Sequence, residues 1–359
     1  MRLEWGRVTS VLRRADDYQE LAIEIDGAAD GVAICYPALS GACEIGDDVV
    51  LNTTAVRLGL GTGGKHFVVA KAGRGLALDD PSGGHIMKLR YTPMQRDVLA
   101  VESPESPDHD VMASAQELFG MPVVCCGLHS QVPLVAAAIK QADPALKIAY
   151  CMTDSASLAL PLSDNIRACV SVGLLDATIA CGQAFGGQLE AVNLHSGLLA
   201  ARHVVRADVA IAAIGPGVVG TTTPFGHGGV AQGEAINAAV SLGGVAVAVL
   251  RMSFADTRKR HRVVSHHTLT ALTRIALAEA VVAIPALPQP FAEQLDDVLA
   301  DAGVAARHRC VHSRANATPD MRGVRVTTMG RGPADDPAFF SAGYAAGEVA
   351  ARIAAGESV

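Results

Sequence analysis

The chain contains few aromatic residues and carries no excess of positive charge. Aromatic side chains make up 4% of its 359 residues, and the formal net charge at pH 7 is −7. A nucleic-acid-binding surface needs a basic face, and single-stranded nucleic acid also needs aromatic side chains on which the bases stack. We therefore expect no nucleic-acid partner.

The sequence also lacks the features of membrane-spanning and secreted proteins. No stretch reaches about 18 uninterrupted apolar residues, so we expect no transmembrane helix and no membrane partner. The N-terminal segment lacks the apolar run of a signal peptide. The 8 cysteines never form a CxxC pair, which is typical of reduced, mostly buried thiols. Together these features predict a cytoplasmic protein.

Hydrophobic residues are abundant instead. They make up 50% of the chain, against 18% charged residues. This balance is typical of a compact globular protein and not of a disordered one. The length is sufficient for about two domains.

Residues 1–72 show the period-2 pattern of short strands separated by turn residues. No helical periodicity interrupts this pattern, so we predict a small N-terminal β-barrel domain. Residues 73–96 are predicted to be a linker and connecting strand. The five predicted barrel strands are 6–12, 21–25, 32–36, 48–51 and 66–69.

From residue 97 to residue 355, apolar strand-like runs alternate with helical segments. This alternation predicts an α/β domain with a Rossmann-like, mainly parallel sheet and helices on both faces. Periodicity does not predict the strand order. The predicted strands are 97–101, 123–126, 148–152, 177–181, 209–214, 245–250, 281–284, 308–311 and 324–328. The predicted helices include 132–141, 230–242, 268–278, 291–302 and 339–353.

Polar loops follow five of the predicted strands at their carboxyl ends, where such folds bind ligands. The loop 215–229 is rich in glycine and leads into a helix whose N-terminal end favours an anion. It matches neither a Walker A loop nor a dinucleotide fingerprint. We assign it ligand contacts through Gly215, Gly217, Thr221, Thr222 and Gly228. The alternative is a glycine-rich packing loop.

Histidines near these strand ends are candidates for acid/base catalysis, because imidazole titrates near neutral pH. We assign this role to His227, His266 and His129. Adjacent His266 and His267 point about 100° apart on a helix, so we expect one to face the cleft and the other the solvent. The spacing of HExxH is absent, and we assign no metal ligand. A metal ion held together with His227, Asp256 and Asp154 is the alternative. Ser130 is either a ligand contact or a helix N-cap.

Other polar side chains lie near the same strand ends. Two segments share the order Gly-Gly, spacer, Glu-Ala-apolar-Asn, and we place both glutamates in or near a helix with an asparagine three positions on. A solvent-exposed helix face is the alternative. From these segments and from neighbouring loops we assign Glu234 as catalytic, and Asn237, Glu190, Asp154, Gln183, Arg258 and Arg262 as ligand-binding residues.

Several longer phrases resemble a known family. They are CYPALSG (35–41), GDDVVLNTTAVRLGLGTGG (46–64), GLHSQ (127–131), MTDSASLALPLSD (152–164), GQAFGGQLEAVN (182–193), IGPGVVGTTTPFGH (214–227), GEAINAA (233–239) and SHHTLTAL (265–272). Together they are similar to DUF3866, a bacterial family of unknown function. The resemblance implies one evolved unit and no established activity or catalytic residue.

The sequence favours an enzyme that acts on a small anionic metabolite, for example a phosphorylated one, by hydrolysis or group transfer with histidine acid/base catalysis. The alternative is a non-catalytic ligand-binding regulatory module that docks a partner protein through its N-terminal barrel. No cofactor is identified. The glycine- and alanine-rich composition is compatible with a homo-oligomer.

Overall fold

The structure is a computed structural model that describes residues 1–26, 30–60, 63–73, 83–314 and 318–359. The chain forms two compact units, residues 1–83 with 89–97 and residues 84–88 with 98–359. The domain boundaries predicted from the sequence, 1–72, 73–96 and 97–355, stay a prediction. Part of the predicted linker, residues 74–82, lies outside the described residues.

A closed barrel of five strands forms the first unit, as the alternating pattern predicts. Around the barrel the strands follow the order β1-β2-β3-β5-β4, and β4 pairs with β1. Alternate residues such as Leu21 and Ile23 point inward and are buried, because side chains of a strand alternate between its faces. The elements are β1 (Leu3–Ala15), β2 (Tyr18–Ile25), β3 (Gly31–Cys35), α1 (Pro37–Ser40), β4 (Asp48–Asn52), α2 (Thr54–Arg57) and β5 (Lys65–Lys71).

The second unit is built on an all-parallel eight-stranded sheet in the order β11-β10-β9-β12-β8-β13-β16-β17. Two short strands, β6 (Ile86–Lys88) and β7 (Arg96–Val98), precede it along the chain. The remaining strands are β8 (Pro122–Cys126), β9 (Ile148–Thr153), β10 (Ala177–Cys181), β11 (Leu189–Ala191), β12 (Val209–Ile214), β13 (Val245–Ala248), β14 (Met252–Ser253), β15 (Val263–Val264), β16 (Val281–Ile284) and β17 (Arg309–His312).

Helices cover both faces of this sheet, so its central strands are buried throughout. They are α3 (His109–Ser114), α4 (Val132–Ala142), α5 (Asp164–Ser171), α6 (Leu194–His203), α7 (Val230–Ser241), α8 (His266–Thr270), α9 (Phe291–Asp301) and α10 (Pro337–Ala354). No helix in the part of the chain that the structure describes is both long enough and apolar enough to cross a membrane.

Two sequence predictions about elements are wrong. The predicted strand 324–328 forms no sheet ladder, although Val324 and Val326 are buried in alternation. An extended chain packed on a core produces the same pattern without a pairing partner. The predicted helix 268–278 is shorter in the structure. Helix α8 ends at Thr270, and only a π-helical turn, Ala271–Ile275, follows it.

The chain leaves two neighbouring strands toward opposite faces of the sheet. After β8 it enters α4, which packs with one hydrophobic cluster, and after β12 it enters α7, which packs with the other. Such a divergence opens a crevice beyond the carboxyl ends of the strands, where α/β proteins bind ligands. The loops after β8, β12 and β13 border this crevice.

Candidate functional site

Four imidazoles gather beside the carboxyl ends of β12 and β13. We call His227, His261, His266 and His267 the histidine cluster. The rings of His227 and His267 are stacked, with centroids 3.9 Å apart and an interplanar angle of 6°. The ring of His266 lies 4.4 Å from that of His267 and 5.3 Å from that of His227, and the His261 ring lies 5.1 Å from that of His267.

Local structure fixes these rings. His227 lies in the turn before α7, where its backbone pairs with Gly220. Ser265 is the N-cap of α8 and accepts a hydrogen bond from the backbone N–H of His267. A methyl group on Gly229 would lie 2.8 Å from Cβ of His267 and 3.0 Å from Nδ1 of His227. Glycine at this position therefore allows the two segments to meet.

Hydrogen bonds define which nitrogens carry lone pairs. Nε2 of His227 lies 3.0 Å from the Pro224 carbonyl, which only accepts, so this nitrogen carries the proton. Nδ1 of His227 is then the lone-pair nitrogen, and it is buried without a hydrogen-bond partner among the described residues. Nε2 of His266 is also buried and unpartnered within that part of the chain. Both nitrogens are therefore available to a ligand or a proton.

Arg251 lies three residues after the end of β13 and reaches the cluster. Its Nη1 donates a hydrogen bond of 3.1 Å to Nδ1 of His267. The residue is only 8% exposed, and among the described residues no carboxylate lies within 4 Å of its guanidinium. A buried cation without an anionic partner is unfavourable, and a bound anion would remove that cost.

A network of paired charges lies next to Arg251. Asp256 accepts two hydrogen bonds from the guanidinium of Arg258, and Arg331 donates to Asp336 at 3.0 Å. These hydrogen bonds hold the pKa of Asp256 well below its ordinary value. The two carboxylates therefore form their close contacts with other arginines, and Asp256 acts on Arg251 only through a longer-range attraction.

The cluster is neutral at pH 7. The pKa of His267 is lowered to about 2 and that of His261 to about 4, mainly by burial and in part by the positive charge of Arg251. Burial also lowers the pKa values of His227 and His266. The pKa of Arg251 falls to about 10, mainly because of burial and secondly because of Arg258. Neutral imidazoles beside a buried cation provide lone pairs in an electropositive setting.

Sequence reasoning expected one of His266 and His267 to face the solvent, and the structure turns both toward His227. The angle of about 100° describes the Cα–Cβ bonds. The imidazoles extend beyond Cβ, and those of the first helical turn fold to the same side. His267 and His261 were not assigned a role, and neither was Arg251. Its position directly after the predicted strand 245–250 is the signal that indicates it.

The glycine-rich loop satisfies many of its own backbone groups. The N–H groups of Thr221, Gly226 and Gly228 are hydrogen-bonded within the loop, and the hydroxyls of Thr221 and Thr223 lie 2.8 Å apart. Thr222 and Gly217 are exposed. Gly215 is buried, and a methyl group there would lie 2.5 Å from the Ser157 carbonyl. The geometry therefore favours Arg251 over this loop as the anion contact.

His129 lies outside the cluster and has structural partners. Its Nε2 is 2.6 Å from Oγ of Ser163, and its Nδ1 is 3.2 Å from both the Tyr150 hydroxyl and the Ile214 carbonyl. Burial lowers its pKa to about 4. These contacts tie the ends of β8, β9 and β12 together. Ser130 is half-buried in the turn between β8 and α4.

Two of the predicted ligand residues are engaged elsewhere. Asn237 donates to the Ile275 carbonyl and accepts from the Leu277 N–H, so it fixes the end of the π-helical turn. Glu190 lies on strand β11 and not on a helix, which corrects the sequence interpretation. Its carboxylate is 2.6 Å from Nζ of the buried Lys88. Both residues therefore hold the fold.

The other predicted residues are spread over the surface near the strand ends. Asp154 accepts a hydrogen bond from the backbone N–H of Gln183. Glu234 and Arg262 are exposed, and Arg258 is engaged by Asp256. Of the assigned residues, the structure brings His227 and His266 together and leaves these five outside the cluster.

The family model described as protein of unknown function (DUF3866) matches residues 32–347 of this chain. The chain belongs to the DUF3866 family. No curated protein and no solved structure matches it significantly. The matched range includes the barrel strands from β3 onward, all eight strands of the large sheet and the histidine cluster.

Proposed function

We propose that this protein is an enzyme that acts on a small anionic metabolite, by hydrolysis or group transfer, at the histidine cluster. The observation that carries the proposal is the buried guanidinium of Arg251, which contacts a neutral imidazole and no carboxylate among the described residues. Arginine presents a fork of donors that matches phosphate and carboxylate groups. Arg251 would hold the anionic group beside the free lone pairs.

His227 is the favoured general base. The Pro224 carbonyl fixes its tautomer, so that Nδ1 presents a lone pair in a buried position. In hydrolysis, the oxygen of water would bond to the electrophilic atom while Nδ1 takes the water proton. The imidazolium would then return that proton to the leaving group. His266, with its unpartnered Nε2, is the second base candidate.

The test begins with a thermal-shift panel of sugar phosphates, nucleotides and carboxylates on the full chain. A compound present at 100 times its dissociation constant stabilises a protein by about 2.7 kcal/mol. Each compound that stabilises is then followed by NMR for turnover. We expect Arg251→Met to remove the shift, whereas Arg309→Met, at the amino end of the edge strand β17, keeps it. Binding that survives Arg251→Met would contradict the proposed anion contact.

His227→Gln tests the catalytic part. Loss of a general base typically lowers kcat by about 10²- to 10⁴-fold. Full activity of both His227→Gln and His266→Gln on an identified substrate would overturn histidine acid/base catalysis.

A second candidate function rests on the barrel. Leu3, Trp5 and Leu12 on β1 are 44%, 53% and 54% exposed, and Trp5 is the only tryptophan of the chain. Exposed apolar side chains of this size are typical of protein interaction sites. The protein would then be a ligand-binding regulatory module that docks a partner through the barrel. This candidate predicts ligand binding without turnover in the NMR assay, and loss of the partner on Trp5→Ser.

A further inference from the structure

Three members of the histidine cluster lie at distances that suit a common ligand. One ring nitrogen from each of His227, His266 and His267 lies within 4.8 Å of the others. The residues come from two separate segments, the turn before α7 and the first turn of α8. Three imidazoles this close together, with no acidic residue among them, supply the donor set of a transition-metal site, and the stacked rings of His227 and His267 would have to tilt to direct both lone pairs at one ion.

The hydrogen bonds of His227 agree with this donor set. Histidines that bind metals characteristically donate their other ring N–H to a carbonyl or a carboxylate, which fixes the tautomer and the ring orientation. Nε2 of His227 has this partner in the Pro224 carbonyl. Its Nδ1 is left as a buried lone pair without a partner, in a side chain that is 4% exposed. Nε2 of His266 is a second such nitrogen.

Arg251 acts against the metal. Its guanidinium donates to Nδ1 of His267 and places a positive charge beside the three rings. Coordination by His267 therefore requires the guanidinium to move aside. An anion that draws Arg251 away would strengthen the metal site, and the metal would strengthen binding of the anion.

We infer that His227, His266 and His267 bind one divalent transition-metal ion of the kind that takes imidazole ligands, such as Zn²⁺. Three protein ligands leave a coordination position open, as in catalytic and not structural zinc sites. The inference deepens the proposed function and rests on it for its chemical use. In the loaded protein these nitrogens would hold the metal and would not act as bases, so the metal would supply the activation of the attacking water and the water proton would pass to solvent.

The test uses the full chain after treatment with a chelator, and its readout is binding and not activity. Calorimetric titration with Zn²⁺ should show one ion per chain. We expect His266→Ala to weaken Zn²⁺ binding by at least about tenfold, the lower range for disturbing a metal site. His195→Ala, an exposed histidine on α6, should bind like the original protein. Titration with Co²⁺ should give the visible absorption of a low-coordinate imidazole site in the original protein and not in His266→Ala.

Arg251→Met separates the two proposals. If both hold, this variant binds Zn²⁺ more tightly and inorganic phosphate, the anion probe, more weakly. If the original protein binds no Zn²⁺, or if His266→Ala binds it unchanged, the metal inference is wrong and the anion proposal stands. If Zn²⁺ binds at the cluster and no anion of the panel binds, the proposed function fails and the metal inference stands. Circular dichroism of each variant identifies a failure to fold, and His227→Gln then replaces His266→Ala.

Discussion

The guanidinium of Arg251 and the imidazole of His267 are joined by a hydrogen bond of 3.1 Å, and both groups are buried. Because arginine can only donate, Nδ1 of His267 is the acceptor. A second proton on this imidazole would place two positive charges in contact, away from water. The pair therefore behaves as a cation with a neutral neighbour over the ordinary pH range.

The buried histidines make stability fall in mild acid. The ordinary histidine pKa is about 6.5, and burial lowers that of His129 to about 4 in the folded protein. Between these values the unfolded chain binds more protons, so the free energy of unfolding decreases as the pH falls from about 6.5 toward 4. Each such histidine contributes up to about 1.4 kcal/mol per pH unit. Urea unfolding between pH 7 and pH 5 should show a smaller loss for His129→Gln. An equal slope in the original protein and in His129→Gln would contradict this assignment.

Gly229→Ala should disturb the histidine cluster. The added methyl group would approach Cβ of His267 and Nδ1 of His227 at 2.8 and 3.0 Å, closer than carbon and nitrogen atoms pack. Overpacking of this kind costs about 1–3 kcal/mol. We expect a lower Tm and weaker binding of phosphate and Zn²⁺. Gly332→Ala is the matched control, because its methyl group would meet no described atom closer than 3.7 Å. Unchanged binding by Gly229→Ala would show that the cluster is not the site.

The pair Lys88–Glu190 should be important for folding and not for binding. Lys88 is 1% exposed. Its Nζ donates hydrogen bonds to the carboxylate of Glu190 and to the carbonyls of Ala180 and Ala184. Removing one partner of a buried ion pair costs about 3–5 kcal/mol. Denaturant unfolding of Glu190→Gln should show a loss in that range. Glu357→Gln, which breaks exposed pairs with Arg314 and Arg352, should change stability by less than about 1 kcal/mol.

Asn237→Ala distinguishes a structural role from a ligand role. The side chain accepts from Leu277 N–H and donates to the Ile275 carbonyl. Leaving these groups without a partner costs about 1–3 kcal/mol. We expect this loss in denaturant unfolding, together with an unchanged dissociation constant for phosphate. A tenfold weaker phosphate affinity at unchanged stability would instead restore Asn237 to the site.

The sequence predicted the fold better than it predicted the arrangement of the candidate site. Period-2 runs with turn residues predict the barrel, and long buried runs between helical segments predict the parallel sheet. The pattern fails at Val324 and Val326, because burial of alternate residues requires an extended chain and not a strand partner. In the sequence, Glu190 has the residue type expected of a ligand contact and lies close to a predicted strand end. No local pattern shows that it neutralises Lys88, which lies 102 positions earlier in the chain.

For a similar reason, the sequence could not predict that His227 lies next to His266 and His267. This arrangement depends on how closely the turn before α7 approaches the start of α8. That approach is permitted by the missing side chain of Gly229, and the glycine alone does not reveal which residues would meet there.

Helices α4 and α10 pack against each other so closely that Gly343 and Gly347 have no room for a side chain. A methyl group on them would lie 2.7 Å from Cβ of Leu134 and 2.4 Å from the Val135 carbonyl. The two helices are separated by nearly two hundred residues of sequence, since α4 ends at Ala142 and α10 begins at Pro337. At ordinary synthesis rates the ribosome needs on the order of ten seconds or more to cover that interval. Throughout that time the part of α4 that α10 covers lacks this partner, so we expect the growing chain to expose apolar surface there until α10 emerges.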